Sequence, residues 1–121
     1  IPLNPDELFA ARSEVLEVYV SPAIESYLLE IILATRCPDR LKPALARWIR
    51  YGASPRGTIA LDRCSRAHAW LAGRDFVTPD DIQAMIHEVL RHRILLTFEA
   101  EAEGVSTDQV IDTLIRQIAV P

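Results

Sequence analysis

The residues best suited to chemistry lie in the segment Tyr51-Gly52-Ala53-Ser54-Pro55-Arg56-Gly57-Thr58. Ser-Pro is a helix-start pair, with Ser54 as N-cap and Pro55 at the first helical position. That register puts Arg56 in the first turn, where the positive end of the helix dipole disfavours a cation and an acid is the usual occupant. Gly57 follows, at a place where glycine costs roughly 0.5 to 1 kcal/mol relative to alanine. Both departures suit an anion. A guanidinium beside free helical N–H groups makes a phosphate site, and a glycine admits a ligand close to the backbone. An Arg56 that projects into solvent or caps a neighbouring helix satisfies the same sequence, so the residues alone leave both readings open.

Other groupings offer less. Asp80 and Asp81 form a carboxylate pair of the kind that binds metal, but their place after Thr78-Pro79 explains them as first-turn acids. His68 falls on an apolar stripe, as a hydrogen-bonded core or boundary histidine does. His87 and His92 are five apart, a spacing that does not bring two imidazoles to one helical face as zinc needs. Cys37 and Cys64 have no companion ligands nearby in the sequence, and no metal site is expected. Arg91-His92-Arg93 is a small basic cluster suited to phosphate or an acidic partner; Glu99, Glu101 and Glu103 are its acidic opposite, and solvated surface explains both. The one lysine, Lys42, stands between Leu41 and Pro43 with no glycine loop before it, so no P-loop can be built. G-x-S-x-G, C-x-x-C and H-x-x-x-H are absent.

Helices position these residues. Six segments pair a start signal with apolar spacing near 3.6 residues. Asn4-Pro5-Asp6-Glu7 opens the first, which runs to about Val18, and Ser21-Pro22 opens a second to about Thr35 with Ile24, Leu28, Ile31 and Ile32 on one face. From Pro38 to about Arg50, Leu41, Leu45, Trp48 and Ile49 keep the helical interval, with Arg40, Arg47 and Arg50 at its margins. Ser54-Pro55 opens the fourth, whose expected buried stripe is Leu61, Cys64, Ala67, His68 and Leu71 and which Gly73 closes. Thr78-Pro79-Asp80-Asp81 opens the fifth, carrying Ile82, Met85, Ile86, Val89 and Leu90. The box Ser106-Thr107-Asp108-Gln109 opens the last, carrying Val110, Ile111, Leu114, Ile115 and Ile118. Between the last two, Leu96, Phe98, Ala100 and Ala102 alternate with Thr97, Glu99, Glu101 and Glu103, a period of two that admits a short strand or extended arm near 94–99. Alanine and glutamate also favour helix there. The expected fold is all-α, a small helical bundle forming one domain over residues 1–121.

The chain has 121 residues, half of them hydrophobic and a quarter charged, with a net charge of −4. That is the composition of a soluble globular domain, large enough to bury a core without staples. No apolar run approaches the roughly 20 residues that span a bilayer. Two cysteines and no secretory signal point to reduced thiols and a cytoplasmic setting. A first residue other than methionine points to part of a larger machine. Acids outnumber bases by four, against what a phosphate-neutralising nucleic-acid binder shows.

Ala34-Thr35-Arg36, Tyr51-Gly52-Ala53-Ser54-Pro55-Arg56-Gly57, Val77-Thr78-Pro79-Asp80-Asp81-Ile82 and the run from Val89 through Arg91-His92-Arg93-Ile94-Leu95-Leu96-Thr97-Phe98 to Gly104 together resemble the C-terminal lid of MoxR-family AAA+ ATPases. The likeness extends from about Val20 to the end, and the long run with the upstream G-A-x-P-R-G is its most specific part. The resemblance implies a helical lid that follows a nucleotide-binding core in the same chain, with Arg56 as the sensor-2 arginine that reaches the ATP phosphates and Ser54 and Gly57 beside it in the nucleotide site. Many relatives carry glycine where this chain has Ser54, a departure that keeps the arginine and supplies an N-cap. It further implies ATP and magnesium as ligands of the full-length parent, with neither hydrolysis nor a cofactor expected of this segment alone. The parent would be a chaperone-like ATPase that remodels or matures partner complexes, assembled as a homo-oligomeric ring, usually a hexamer, often with a von Willebrand factor A domain protein as partner. The alternative from another class is a stand-alone helical adaptor that binds a partner protein through an exposed face.

Overall fold

A computed structural model describes residues 4–37 and 43–121. Lys42, and the Arg40 and Leu41 expected in the third helix, lie outside the described residues. Seven helices and a two-stranded sheet are seen among those described: α1 (Pro5–Leu16), α2 (Pro22–Arg36), α3 (Pro43–Trp48), β1 (Ile49–Tyr51), α4 (Pro55–Leu71), α5 (Pro79–Leu90), β2 (Leu95–Leu96), α6 (Phe98–Ala102) and α7 (Thr107–Gln117). The all-α bundle expected from the sequence is therefore the fold, with a short sheet added.

Local chemistry sets most helix starts. Asn4 Oδ1 accepts from the Glu7 N–H at 2.8 Å, Ser21 Oγ from the Ile24 N–H at 3.3 Å, and Ser106 and Gln109 exchange the two bonds of a capping box at 3.2 and 2.8 Å. Proline occupies the first position of α1, α2, α4 and α5. The core forms where the inner faces of α2, α5 and α7 meet: Tyr27, Leu28, Ile31 and Ile32 from α2, Ile82, Ile86 and Leu90 from α5, and Val110, Ile111 and Leu114 from α7. Removing these apolar side chains from water is the main favourable contribution to the fold. The described part of α1 contributes no buried residue and lies against α4, where Trp70 Nε1 donates to Glu14 Oε2 at 2.9 Å.

Two expectations are corrected, and the short strand expected near 94–99 is found and narrowed. The buried side of α4 is Gly57, Leu61, Ser65 and Ala69, a strict four-residue repeat of mostly small groups, while Leu71 is 78% exposed and Cys64, Ala67 and His68 are half-buried. Of the expected stripe only Leu61 is buried; the other buried positions carry small groups, which allow neighbouring elements to approach closely. The third helix stops at Trp48, and Ile49 and Arg50 belong to β1, which pairs antiparallel with β2 through Ile49↔Leu96 and Tyr51↔Leu95 with an irregularity between them. The alternating segment contributes only Leu95–Leu96 as strand, and Phe98–Ala102 turns helical because Thr97 Oγ1 accepts from the Ala100 N–H at 3.1 Å while donating to the Arg47 carbonyl at 2.7 Å.

A parallel bridge between Tyr19 and Phe76 ties the α1–α2 link to the α4–α5 loop, with Tyr19 N–H donating to the Asp75 carbonyl at 2.8 Å. Among the described residues no helix is long and apolar enough to cross a membrane.

Candidate functional site

The loop that delivers Arg56 is anchored on the end of α2. Thr35, fully buried, donates through Oγ1 to the Ile32 carbonyl at 2.6 Å and accepts from the Ala53 N–H at 3.0 Å. A Cβ on Gly52 would stand 2.1 Å from the Thr35 carbonyl oxygen, so only glycine lets the two backbones lie this close. With Gly52 and Ala53 pinned, Ser54 takes the N-cap position with φ −76° and ψ 171°.

Ser54 holds that position without making a side-chain capping bond, contrary to expectation. The Gly57 N–H, the donor its hydroxyl would take, bonds the Ser54 carbonyl at 2.8 Å in a tightened first turn. The Ser54 side chain is left exposed at the head of the helix. Gly57 is buried, and a Cβ there would meet Ala53 Cβ at 3.1 Å, Arg93 Cδ at 3.6 Å and Ile32 Cδ1 at 3.8 Å. The tight neighbour is Ala53 of the preceding loop, which gives this glycine a packing role beside the ligand approach read from the sequence.

Arg56 is exposed and has no ion-pair partner among the described residues. Beside it opens a shallow cleft of about 320 Å³, walled by Arg36 at the end of α2, Arg50 and Tyr51 of β1, and the Gly52–Pro55 loop. The Arg50 guanidinium stacks over the Tyr51 ring at 5.4 Å. Arg93, from the turn after α5, lays its stem against the same turn of α4 through the Gly57 contact. Residues from four separate elements thus surround the head of α4 with positive charge, and such a surface attracts a polyanion.

The remaining candidates separate. Arg91 does not line this cleft and forms an ion pair with Asp108 at 2.9 Å, which raises the arginine's pKa and lowers the aspartate's. His92 is exposed. His87 Nε2 lies 2.7 Å from Asp112 Oδ1. Asp80 is exposed, whereas Asp81 is fully buried and closes the capping box, accepting from the Thr78 N–H at 2.8 Å and the Thr78 hydroxyl at 3.0 Å. Asp81 also meets His68 Nδ1 at 2.6 Å and the Arg74 guanidinium. His68 is therefore a hydrogen-bonded boundary histidine. Both cysteines are free, and no cluster of three or more metal-ligating side chains occurs among the described residues. Glu99 and Glu103 are engaged by Arg47 at 3.4 and 3.7 Å, and Trp48 Nε1 donates to Glu103 at 3.2 Å.

Sequence reasoning singled out Arg56 and did not group Arg36, Arg50 and the Thr35 clamp with it. The available signal was Ala34-Thr35-Arg36, whose threonine and arginine at a helix end have no amphipathic reason to be there.

Residues 44–114 match the AAA lid domain family. Over 120 residues the chain is 32% identical to Chaperone MoxR1 of Mycobacterium tuberculosis, covering 98% of this chain and 32% of that protein. Protein MoxR of Paracoccus denitrificans is 39% identical over 110 residues, covering 85% of this chain and 32% of that protein. A crystal structure of a Cytophaga hutchinsonii protein described as an ATPase superposes with a TM-score of 0.93 at 40% identity, covering 96% of this chain and 36% of the other. The chain spans about a third of the length of the curated relatives it matches.

Proposed function

Since this chain belongs to the AAA lid domain family, as the C-terminal lid of a MoxR-family AAA+ ATPase, we propose that it acts as the sensor-2 lid of its parent, with Arg56 contacting the phosphates of bound ATP. The observation that carries this reading is the cationic cleft at the head of α4, where Arg36 and Arg50 line the wall and Arg56 occupies the first helical turn without an ion-pair partner among the described residues. An arginine is always protonated and presents a planar fork of donors, so it can hold phosphate oxygens and respond when hydrolysis removes one phosphate. The exposed Ser54 hydroxyl, free of capping, is a further donor at the same edge. Gly57 serves the site by seating the first turn against Ala53 and Ile32.

In this reading the nucleotide and its magnesium ion are held mainly by a core domain in the same polypeptide, and the lid closes on them from one side. Lid movement with nucleotide state then drives remodelling or maturation of partner complexes by a ring, hexameric as the family resemblance implies, with a von Willebrand factor A domain protein as one partner class. A cytoplasmic setting goes with the use of ATP.

The test is Arg56→Ala in the full-length protein, with steady-state ATP turnover and thermal melting measured together. Removing a cation from a helix N-terminus relieves an unfavourable dipole interaction of roughly 0.3 to 1 kcal/mol, so stability should hold or rise slightly. Turnover should fall by orders of magnitude, as for other arginines that stabilise charge in phosphoryl transfer. Arg56→Lys keeps the charge and loses the fork, and should restore only part of the rate. Wild-type turnover together with a melt lowered by many degrees would make Arg56 structural and end this reading.

A further inference from the structure

Arg93 stands in the turn between α5 and β2, and its backbone is held on both sides. Its N–H donates to the Leu90 carbonyl at 2.9 Å, and Leu90 and Ile94 are both core residues. From there its stem crosses the first turn of α4, with Cδ 3.6 Å from the point where a Cβ on Gly57 would stand. Arg56 is the preceding residue on that turn. Two arginines are thereby brought to one helix turn, and neither has a carboxylate within ion-pair distance among the described residues.

The contrast with nearby arginines is informative. Arg91, two positions earlier, is held by Asp108 and Glu88; Arg74 by Asp81; Arg66 by Asp62; Arg47 by Glu99 and Glu103. The fold supplies an acid to these four cations; the arginines at the head of α4, like Arg12, Arg63 and Arg116, have none within ion-pair distance among the described residues, and at the head of α4 they are gathered from several elements. Mutual repulsion and the helix dipole both oppose that arrangement in the unliganded domain. A ligand carrying several negative charges reverses the sign of both effects.

We infer that Arg93 is a second phosphate-binding residue of the lid, acting beside Arg56 on the same polyphosphate, with its stem packed on the first turn of α4 at Gly57. This rests on the lid reading of Arg56 given above. Arg93 belongs to the segment leading into β2, which pairs with the strand bearing Arg50, so the residues around the cleft are tied together through the sheet. Binding at Arg93 therefore couples the phosphates to the α5–β2 turn as well as to α4.

The experiment uses the full-length protein, magnesium and a fluorescent non-hydrolysable ATP analogue, with Arg93→Met as the main variant. Methionine keeps an unbranched stem over Gly57 and removes the charge, so the melting temperature of the unliganded protein should stay near wild type. A charge-assisted hydrogen bond to phosphate corresponds to about tenfold or more in affinity, and that loss is expected on titration. Arg93→Lys should recover part of it. Arg56→Met is measured alongside. If Arg93→Met binds within about twofold of wild type while Arg56→Met is weakened, the inference fails and the lid reading stands. If both variants bind like wild type, both fall. A melt lowered by Arg93→Met as far as by a core truncation would make Arg93 a packing residue, and the inference fails again.

Discussion

Replacing Asp81 with alanine is expected to destabilise the isolated 121-residue chain by about 3 kcal/mol, because the change removes more than a helix cap. The carboxylate is fully buried and serves four donors: the Thr78 N–H and hydroxyl on one oxygen, His68 Nδ1 and the Arg74 guanidinium on the other. The capping part alone is worth about 1 kcal/mol. Stranding a buried partner charge costs about 3 to 5 kcal/mol, and the lower end applies here to the whole change. Arg74 keeps 33% and His68 40% of its side-chain surface in water, so both can be partly rehydrated. With about 4 °C lost per kcal/mol in a domain of this size, the midpoint should drop by about 12 °C. Thr78→Ala is the control, since it removes one hydroxyl of the cap and leaves the ion pair, and should lose only about 1 kcal/mol.

The acid limb gives an independent reading of the same site. Burial by itself pushes the Asp81 carboxyl up, but the Thr78 N–H, His68, the Thr78 hydroxyl and the Arg74 charge together outweigh it and hold the carboxyl below its ordinary value of 3.8. A depressed carboxylate contributes stability that is fully present above its unfolded value, near 4, and is lost as pH falls through the lower folded value. The stability gap between wild type and Asp81→Asn should therefore narrow as pH falls below about 4. Urea denaturation at a series of pH values measures this. The reasoning is refuted if Asp81→Ala is no worse than Thr78→Ala, or if the gap does not narrow in acid.

Thr35→Val keeps the shape of the side chain but leaves the buried Ala53 N–H without its acceptor, and should cost about 1 to 3 kcal/mol in urea denaturation. Thr35→Ser should lose less because it keeps both hydrogen bonds; a smaller loss in Thr35→Val than in Thr35→Ser would show that the methyl, and not the clamp, matters. Calorimetric titration of the isolated chain with ATP and magnesium should be nearly flat, since arginines on one face of a lid cannot replace a P-loop and its magnesium ligands. Submicromolar affinity would contradict that expectation.

What the sequence determined by itself is what closes within a few residues. Asn4, Ser21 and Ser106 start their helices through hydrogen bonds to the third residue on, and Thr78-Pro79-Asp80-Asp81 carries its own capping box, so these boundaries were legible without a fold. The inner faces of α2, α5 and α7 follow from apolar periodicity alone, and Arg56 stood out because a cation in a first turn conflicts with the helix dipole. Tertiary structure decided whatever depends on partners distant in sequence. Ile49 keeps the helical interval, yet Ile49–Tyr51 is a strand because Leu95–Leu96 supplies the pairing edge. On α4 apolar periodicity reached Leu61 but not Gly57, Ser65 and Ala69, since small residues there answer to the elements that press on them. Thr35 becomes a clamp only when the Gly52–Ala53 backbone is laid on it, and Asp81 acquires His68 and Arg74 only when α4 and α5 pack. The arginines around the head of α4 come from α2, β1, α4 and the turn after α5, so their shared location exists only after those elements have closed around one core.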